Sequence, residues 1–151
     1  MKRYKFPTYE VRVMRLQEHP GSLKVDAPEH ALTYWQEKVR VAPWFDPERE
    51  MCVVIVLNTR LSAIAHSLVS LGTLNQSIVH PRDVFRPAIA LGGYGVILMH
   101  NHPSGDPSPS ECDRRLTRQI REGGEMLQLS LLDHVIVGGN SYFSFRESGL
   151  I

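Results

Sequence analysis

The stretch from Tyr94 to Asp113, YGVILMHNHPSGDPSPSECD, constrains this chain more than any other. Tyr94-Gly95-Val96-Ile97-Leu98-Met99 is an apolar run of strand length that leads into His100-Asn101-His102. Residues two apart on a strand point to the same face, so His100 and His102 project side by side from the strand's end. Pro103 to Pro109 has loop composition, rich in Pro, Gly, Ser and Asp, and Ser110-Glu111-Cys112-Asp113 opens a helix. Two imidazoles and a carboxylate gathered by a turn at the carboxyl end of a strand could supply three N/O ligands. They would leave a fourth position open, as in catalytic zinc sites. Each part alone has a plainer reading. A single histidine is most often a core or surface residue, and Ser-x-x-Asp before a helix is a capping pair, with Ser110 as N-cap and Asp113 at N3. The ordered combination is far more specific than its parts.

The chain around it has 151 residues, which suits one domain with a core of its own. A net charge of +1 creates no global field toward nucleic acid or an anionic membrane. No apolar run reaches the ~18 residues of a membrane span. The opening MKRYKFPTYEV has basic residues but lacks the apolar stretch of a signal peptide. Cys52 and Cys112 are the only cysteines, which argues for a reducing, cytoplasmic setting and against a disulfide framework.

Tyr9 to Leu16 alternates as a strand does, with Tyr9, Val11 and Val13 on one face. Asp26-Ala27-Pro28-Glu29 reads as a helix start with Asp26 as N-cap. Leu32, Trp35 and Val39 recur at helical spacing, and the Pro43–Pro47 segment stops that helix. Residues 1–47 are therefore expected to be a strand-and-helix extension packing on a main domain of residues 48–151. The other reading has Trp44 and Phe45 facing a partner. Met51–Leu57 is a near-continuous β-branched run, expected as a strand buried on both faces. After the turn Asn58-Thr59-Arg60, Leu61 to Val69 returns as its antiparallel partner. His80-Pro81 opens a helix with Val84, Phe85, Ala88 and Ile89 on one face. Pro87 is expected to kink or restart it, and Gly92-Gly93 to end it.

The helix from Ser110 is expected to run to about Leu127, with Leu116, Ile120 and Leu127 toward the core and Cys112 packed inside. Gly123 and Gly124 each weaken it by ~1 kcal/mol against alanine. Arg114, Arg118 and Arg121, with Arg115 adjacent, form a basic patch interspersed with Glu111, Glu122 and Glu125. A solvated helix face is the plainer reading and a phosphate-binding stripe the other. Leu129 to Val137 is a further strand, Gly138-Gly139-Asn140-Ser141 a hairpin turn, and Tyr142 to Phe145 closes the sheet. The order β-α-β-β-α-β-α-β-β defines an α/β fold, a layered mixed β-sheet flanked by helices.

His100-x-His102-Pro103, the ten residues between His102 and Asp113, and Ser110 three before that aspartate resemble the JAMM motif of MPN/JAB-domain metallopeptidases. The wording HNHPSGDPSPS, with VHPRDVF before the strand and LLDHVIVGG after the helix, resembles the RadC branch of that superfamily over roughly Glu50 to Ile151. Longer RadC relatives carry a paired-helix N-terminal module that the first fifty residues here do not match. The resemblance implies a JAB/MPN domain of the cytidine-deaminase-like fold. It implies Zn²⁺ held by His100, His102 and Asp113, and a glutamate ahead of the first core strand as general base beside the metal's water. Glu50 is the leading candidate and Glu48 its competitor, because strand ends read from sequence slip by a few residues. Ser110 is implied as donor to the oxyanion, although its hydroxyl also suits the helix cap. The reaction implied is hydrolysis of an amide or isopeptide bond in a peptide or protein substrate.

Two other classes remain open at this level. One is a nucleic-acid-associated protein, since the RadC label is tied to DNA repair. The other is a metal-stabilised interaction domain without turnover. Base deamination does not fit, because H-x-E with P-C-x-x-C is absent. The literal His100-Asn101-His102 lacks the ββα-metal surroundings of HNH nucleases. His80 reads as a helix-entry residue, and Asp106 as a loop-ordering Asx-turn rather than a ligand.

Overall fold

The computed structural model describes residues 23–72 and 79–151; the strand expected at Tyr9 to Leu16 lies outside the described residues. Helix α1 (Pro28–Tyr34) continues into a π-helical turn, Trp35–Val39. Strands β1 (Met51–Leu57) and β2 (Ala63–Leu71), helix α2 (Pro81–Leu91), strand β3 (Gly95–Asn101), helix α3 (Glu111–Leu127) and strands β4 (Ser130–Gly138) and β5 (Ser141–Ser144) follow. The strands form one mixed sheet in the order β2-β1-β3-β4-β5, parallel only between β3 and β4. This is the expected α/β layering.

β1 and β3 are buried along their full lengths, as an apolar run without alternation requires when both sheet faces are covered. The period of two sorts their side chains. Val53, Ile55 and Leu57 join Ile97, Met99, Val135 and Val137 beneath α1 and its π turn, where Trp35 and Val39 are buried. Cys52, Val54 and Val56 join Val96 and Leu98 on the other face, against Val84, Phe85 and Ala88 of α2 and Ile120 of α3. The same parity puts His100 on the α3 face.

Several boundaries differ from the sequence reading for identifiable reasons. Asp26 is not the N-cap of α1; Ala27 is, and Asp26 pairs with Lys24 and His30. β2 begins at Ala63 because the Asn58 side chain accepts from the backbone N–H groups of both Arg60 and Ser62, extending the turn. α2 starts and ends where expected and is one helix across Pro87, with buried Val84 and Phe85 before the proline and Ala88 after it anchoring both halves. In α3 the buried positions are Asp113, Thr117, Ile120 and Gly124. Leu116 is half-buried and Leu127 is exposed at the helix end. Gly124 is there for space, since a Cβ would run into the Leu129 carbonyl and the Phe85 ring. Cys112 is half-exposed beside Arg115 rather than packed inside. Trp44 and Phe45 are half-buried against the core beneath α1.

Candidate metal centre

β1 and β3 pair antiparallel with Cys52 opposite His100. Glu50, two residues before Cys52, therefore comes alongside the end of β3. His100 is fully buried there, and His102 sits two residues on, its backbone N–H donating to the Val137 carbonyl at 2.8 Å. The loop after His102 turns back so that the His102 Nδ1–H donates to the Asp106 carbonyl at 2.8 Å. A carbonyl only accepts, so the neutral ring carries its hydrogen on Nδ1 and presents a bare Nε2. The loop lies close on the β4–β5 turn: a Cβ on Gly138 would come within 2.5 Å of the Gly105 carbonyl oxygen.

α3 delivers the carboxylate. Ser110 is its N-cap: the Ser110 hydroxyl accepts from the Asp113 N–H at 3.1 Å, and the Ser110 N–H donates to Asp113 Oδ2 at 2.7 Å. The hydroxyl's single proton goes to the same Oδ2 at 2.8 Å. This capping box fixes the carboxylate so that Oδ1 stands 3.2 Å from His100 Nε2.

The structure thus brings together Glu50, His100, His102 and Asp113, whose candidate ligand atoms all lie within 4.8 Å of one another, the one such group among the described residues. Glu48 and His80 are not in it; His80 caps α2. Asp106 makes the expected Asx-turn, accepting from the Ser108 N–H at 2.9 Å. Burial works against the Asp113 carboxylate, but hydrogen bonding to His100 and His102 outweighs it and holds the carboxyl far below the usual range. The Asp113 hydrogen bond raises His102 above the ordinary imidazole value of 6.5. Burial, reinforced by the charges of Glu50 and Asp113, pushes the Cys52 thiol strongly upward. Cys52 is thus a neutral wall of the site and a poor soft ligand.

The donor set fits a metal ion. The His100 and His102 Nε2 atoms are 3.1 Å apart, His100 Nε2 is 3.2 Å from Asp113 Oδ1, and His102 Nε2 is 3.5 Å from Asp113 Oδ2. A tetrahedron with bonds of 2.0–2.1 Å has edges of about 3.3 Å. Glu50 Oε1 stands farther off, 3.9 Å from His100 Nε2. Three side chains at this spacing, reaching the two oxygens of Asp113 between them, with the Glu50 carboxylate farther out, match a site that keeps one position for water or substrate.

Around these side chains stand groups that sequence reading did not pick out. His134 of β4 and Thr117 of α3, both buried, touch each other, and His134 touches His100. Thr117 lies four residues beyond Asp113 on one helix face, a spacing that could have flagged it; His134 is near only through the β3–β4 pairing. A cavity of about 280 Å³ opens beside His102, with Trp35, Phe45, Pro47, Pro103 and Val137 in its walls and Arg40 also bordering it. Beside α3, Arg114, Arg118 and Arg121 border a second cavity of about 270 Å³ that Phe145 and Leu150 also line. Glu111 lies 3.5 Å from Arg118 and Glu125 lies 3.7 Å from Arg121.

A family model, the RadC-like JAB domain, matches residues 25–150, and the chain belongs to that family. Among its relatives are proteins named UPF0758 from Thermotoga maritima, Chlorobaculum parvum and Desulforamulus reducens. The first is 48% identical over 126 residues, 83% of this chain and 54% of the relative. The second is 39% identical over 128 residues, 85% and 55%, and the third 45% identical over 139 residues, 91% and 59%. The chain spans little more than half the length of these relatives. No helix among the described residues is long and apolar enough to cross a membrane.

Proposed function

We propose that this domain is a zinc-dependent hydrolase that cleaves an amide or isopeptide bond in a peptide or protein, with His100, His102 and Asp113 holding the metal. The convergence of the three side chains, with both imidazole Nε2 atoms 3.1 Å apart and each within 3.2–3.5 Å of an oxygen of Asp113, carries the reading. Two neutral imidazoles and one carboxylate leave a bound Zn²⁺ electrophilic, able to lower the pKa of a water toward ~7 and to polarise a carbonyl. The chain's own residues do the rest. Glu50 is poised to accept the water's proton and return it to the leaving amine. Ser110 is the candidate oxyanion donor. Its proton, held by Asp113 Oδ2 at 2.8 Å, would turn toward the oxyanion as charge develops there. The cavity beside His102, with Trp35 and Phe45 in its walls, gives an apolar side chain of the substrate a place to dock. Cleavage of a peptide library, abolished by chelator and restored by zinc, tests the proposal. A fully metal-loaded protein that cleaves nothing would favour an interaction domain.

Metal retention should fall as pH falls. A proton and the metal compete for His102 Nε2, and because Asp113 raises this histidine above 6.5 the competition begins on the alkaline side of that value. Asp113 stays ionised throughout this range. Dialysis at pH 8 should leave the metal in place and dialysis at pH 6 should deplete it, as read by elemental analysis. Retention that improves toward pH 6 would contradict the ligand set.

The three arginines around the cavity beside α3 favour a second reading, nucleic-acid association. Two of the three stand near glutamates, so DNA binding is expected to be weak and without sequence preference. Three phosphate contacts imply a log–log salt slope of about −2.7, or ~40-fold between 50 and 200 mM salt. Nanomolar binding at physiological salt, lost in an Arg114→Ala/Arg118→Ala double variant, would make this reading primary.

A further inference from the structure

We propose that Thr117 and His134 are positioning residues that fix which nitrogen of His100 carries its proton, so that His100 offers a bare Nε2 to the metal. The inference rests on the reading of His100 as a metal ligand. The direction of the chain follows from its one unambiguous donor. The Thr117 hydroxyl has a single proton, and it goes to the Asp113 carbonyl, one helical turn back, at 2.7 Å. Its oxygen also stands 2.7 Å from His134 Nδ1. With its proton committed, it can only accept there, so His134 carries its hydrogen on Nδ1.

His134 is fully buried, and its ring stacks on Phe145 with centroids 4.8 Å apart and planes within 7°. The neighbouring carboxylate, Asp133, turns away to Ser144 and to the backbone of Arg146 and His134 itself. No carboxylate pairs with the His134 ring among the described residues, and a neutral ring with hydrogen on Nδ1 has a bare Nε2. That atom lies 2.9 Å from His100 Nδ1 and must accept from it. His100 is thereby left with hydrogen on Nδ1 and a lone pair on Nε2, the atom that lies 3.1 Å from His102 Nε2 and 3.2 Å from Asp113 Oδ1. His102 reaches the same tautomer by a shorter route, through the Asp106 carbonyl. A metal-ligating histidine usually donates its second N–H to a carboxylate, a carbonyl or water; here the acceptor is a second imidazole whose own orientation is set by a hydroxyl.

The relay also ties the two ligands of the site together. Thr117 anchors to the backbone of Asp113 itself, so one hydroxyl locks the first turn of α3 against β4 and orients His100 on β3. Nothing in the relay touches the reacting atoms, so its effect is expected in metal affinity and not as an independent change in chemistry.

The test uses the full chain with zinc as the probe. Thr117→Val keeps the shape and removes the acceptor for His134 Nδ1–H, whereas Thr117→Ser keeps the hydroxyl. Chelator competition should show zinc affinity falling ~10–100-fold in Thr117→Val, the usual range for losing an outer-shell partner, and returning toward the parental value in Thr117→Ser. Nitrogen-15 spectra of histidine-labelled parent protein should show His134 protonated on Nδ1, a readout that needs no variant to fold. Parental affinity in Thr117→Val, or a parent spectrum with His134 protonated on Nε2, would overturn the inference. A parent that binds no zinc would instead overturn the reading of the site, and this inference with it.

Discussion

Glu50→Gln should lower hydrolysis by ~100-fold or more while zinc content and thermal stability stay close to those of the parent. The two side chains have nearly the same shape, and glutamine lacks only the basic oxygen. Glu50 Oε1 is 3.9 Å from His100 Nε2, beyond the 3.1–3.5 Å contacts among the other three side chains. Under the proposed function, a carboxylate set back from the other three side chains would face a water on the metal rather than the metal itself. Kinetics paired with elemental analysis separate the roles. Zinc lost in Glu50→Gln would make Glu50 a ligand or a prop. Unchanged turnover, with loss in Glu48→Gln, would move the base to Glu48, which stands outside the four-residue group.

The second large effect is expected for the three proposed ligands themselves. His100→Ala, His102→Ala and Asp113→Ala should each lose most of the metal and, with it, all measurable hydrolysis. Two remaining donors cannot close a structured tetrahedral site. The three should differ in stability. His102→Ala removes a half-buried ring at a loop start and should cost little beyond the metal. Asp113→Ala also removes the capping box that Ser110 shares with it, a further loss of about 1 kcal/mol. His100→Ala strips the buried His134 of its partner, leaving a buried ring nitrogen without that hydrogen bond, a cost of about 1–3 kcal/mol. Denaturant midpoints on chelator-treated proteins should therefore rank His102→Ala above the other two. Full zinc retention in any of the three would remove that residue from the ligand set.

The three proposed ligands were legible because the information is local. His100 and His102 are two apart on a strand end, and Asp113 is fixed by its own helix cap, so no tertiary knowledge was needed to place them on one side of one loop. Glu50 came from resemblance, and its physical basis appears only in the pairing of β1 with β3, which sets Cys52 opposite His100. His134 was not legible. It is separated from His100 by 34 positions, and an internal histidine between Asp133 and Val135 has no pattern that distinguishes a relay from a packed ring. β1 and β3 were readable as doubly buried strands from composition alone, whereas the start of β2 depended on how many N–H groups the Asn58 side chain would collect. Leu127 shows the opposite failure: helical spacing placed it toward the core, whereas it is exposed at the end of α3.

X-ray absorption at the zinc edge, on protein purified without added metal and adjusted to pH 8, tests the central claim most directly. The account predicts about one zinc per chain, a shell of nitrogen and oxygen neighbours at about 2.0–2.1 Å with the outer-shell scattering of two imidazoles, and no sulfur. Sulfur neighbours at about 2.3 Å would place the metal on Cys52 or Cys112 instead, and a protein that holds no zinc at that pH would contradict the account outright.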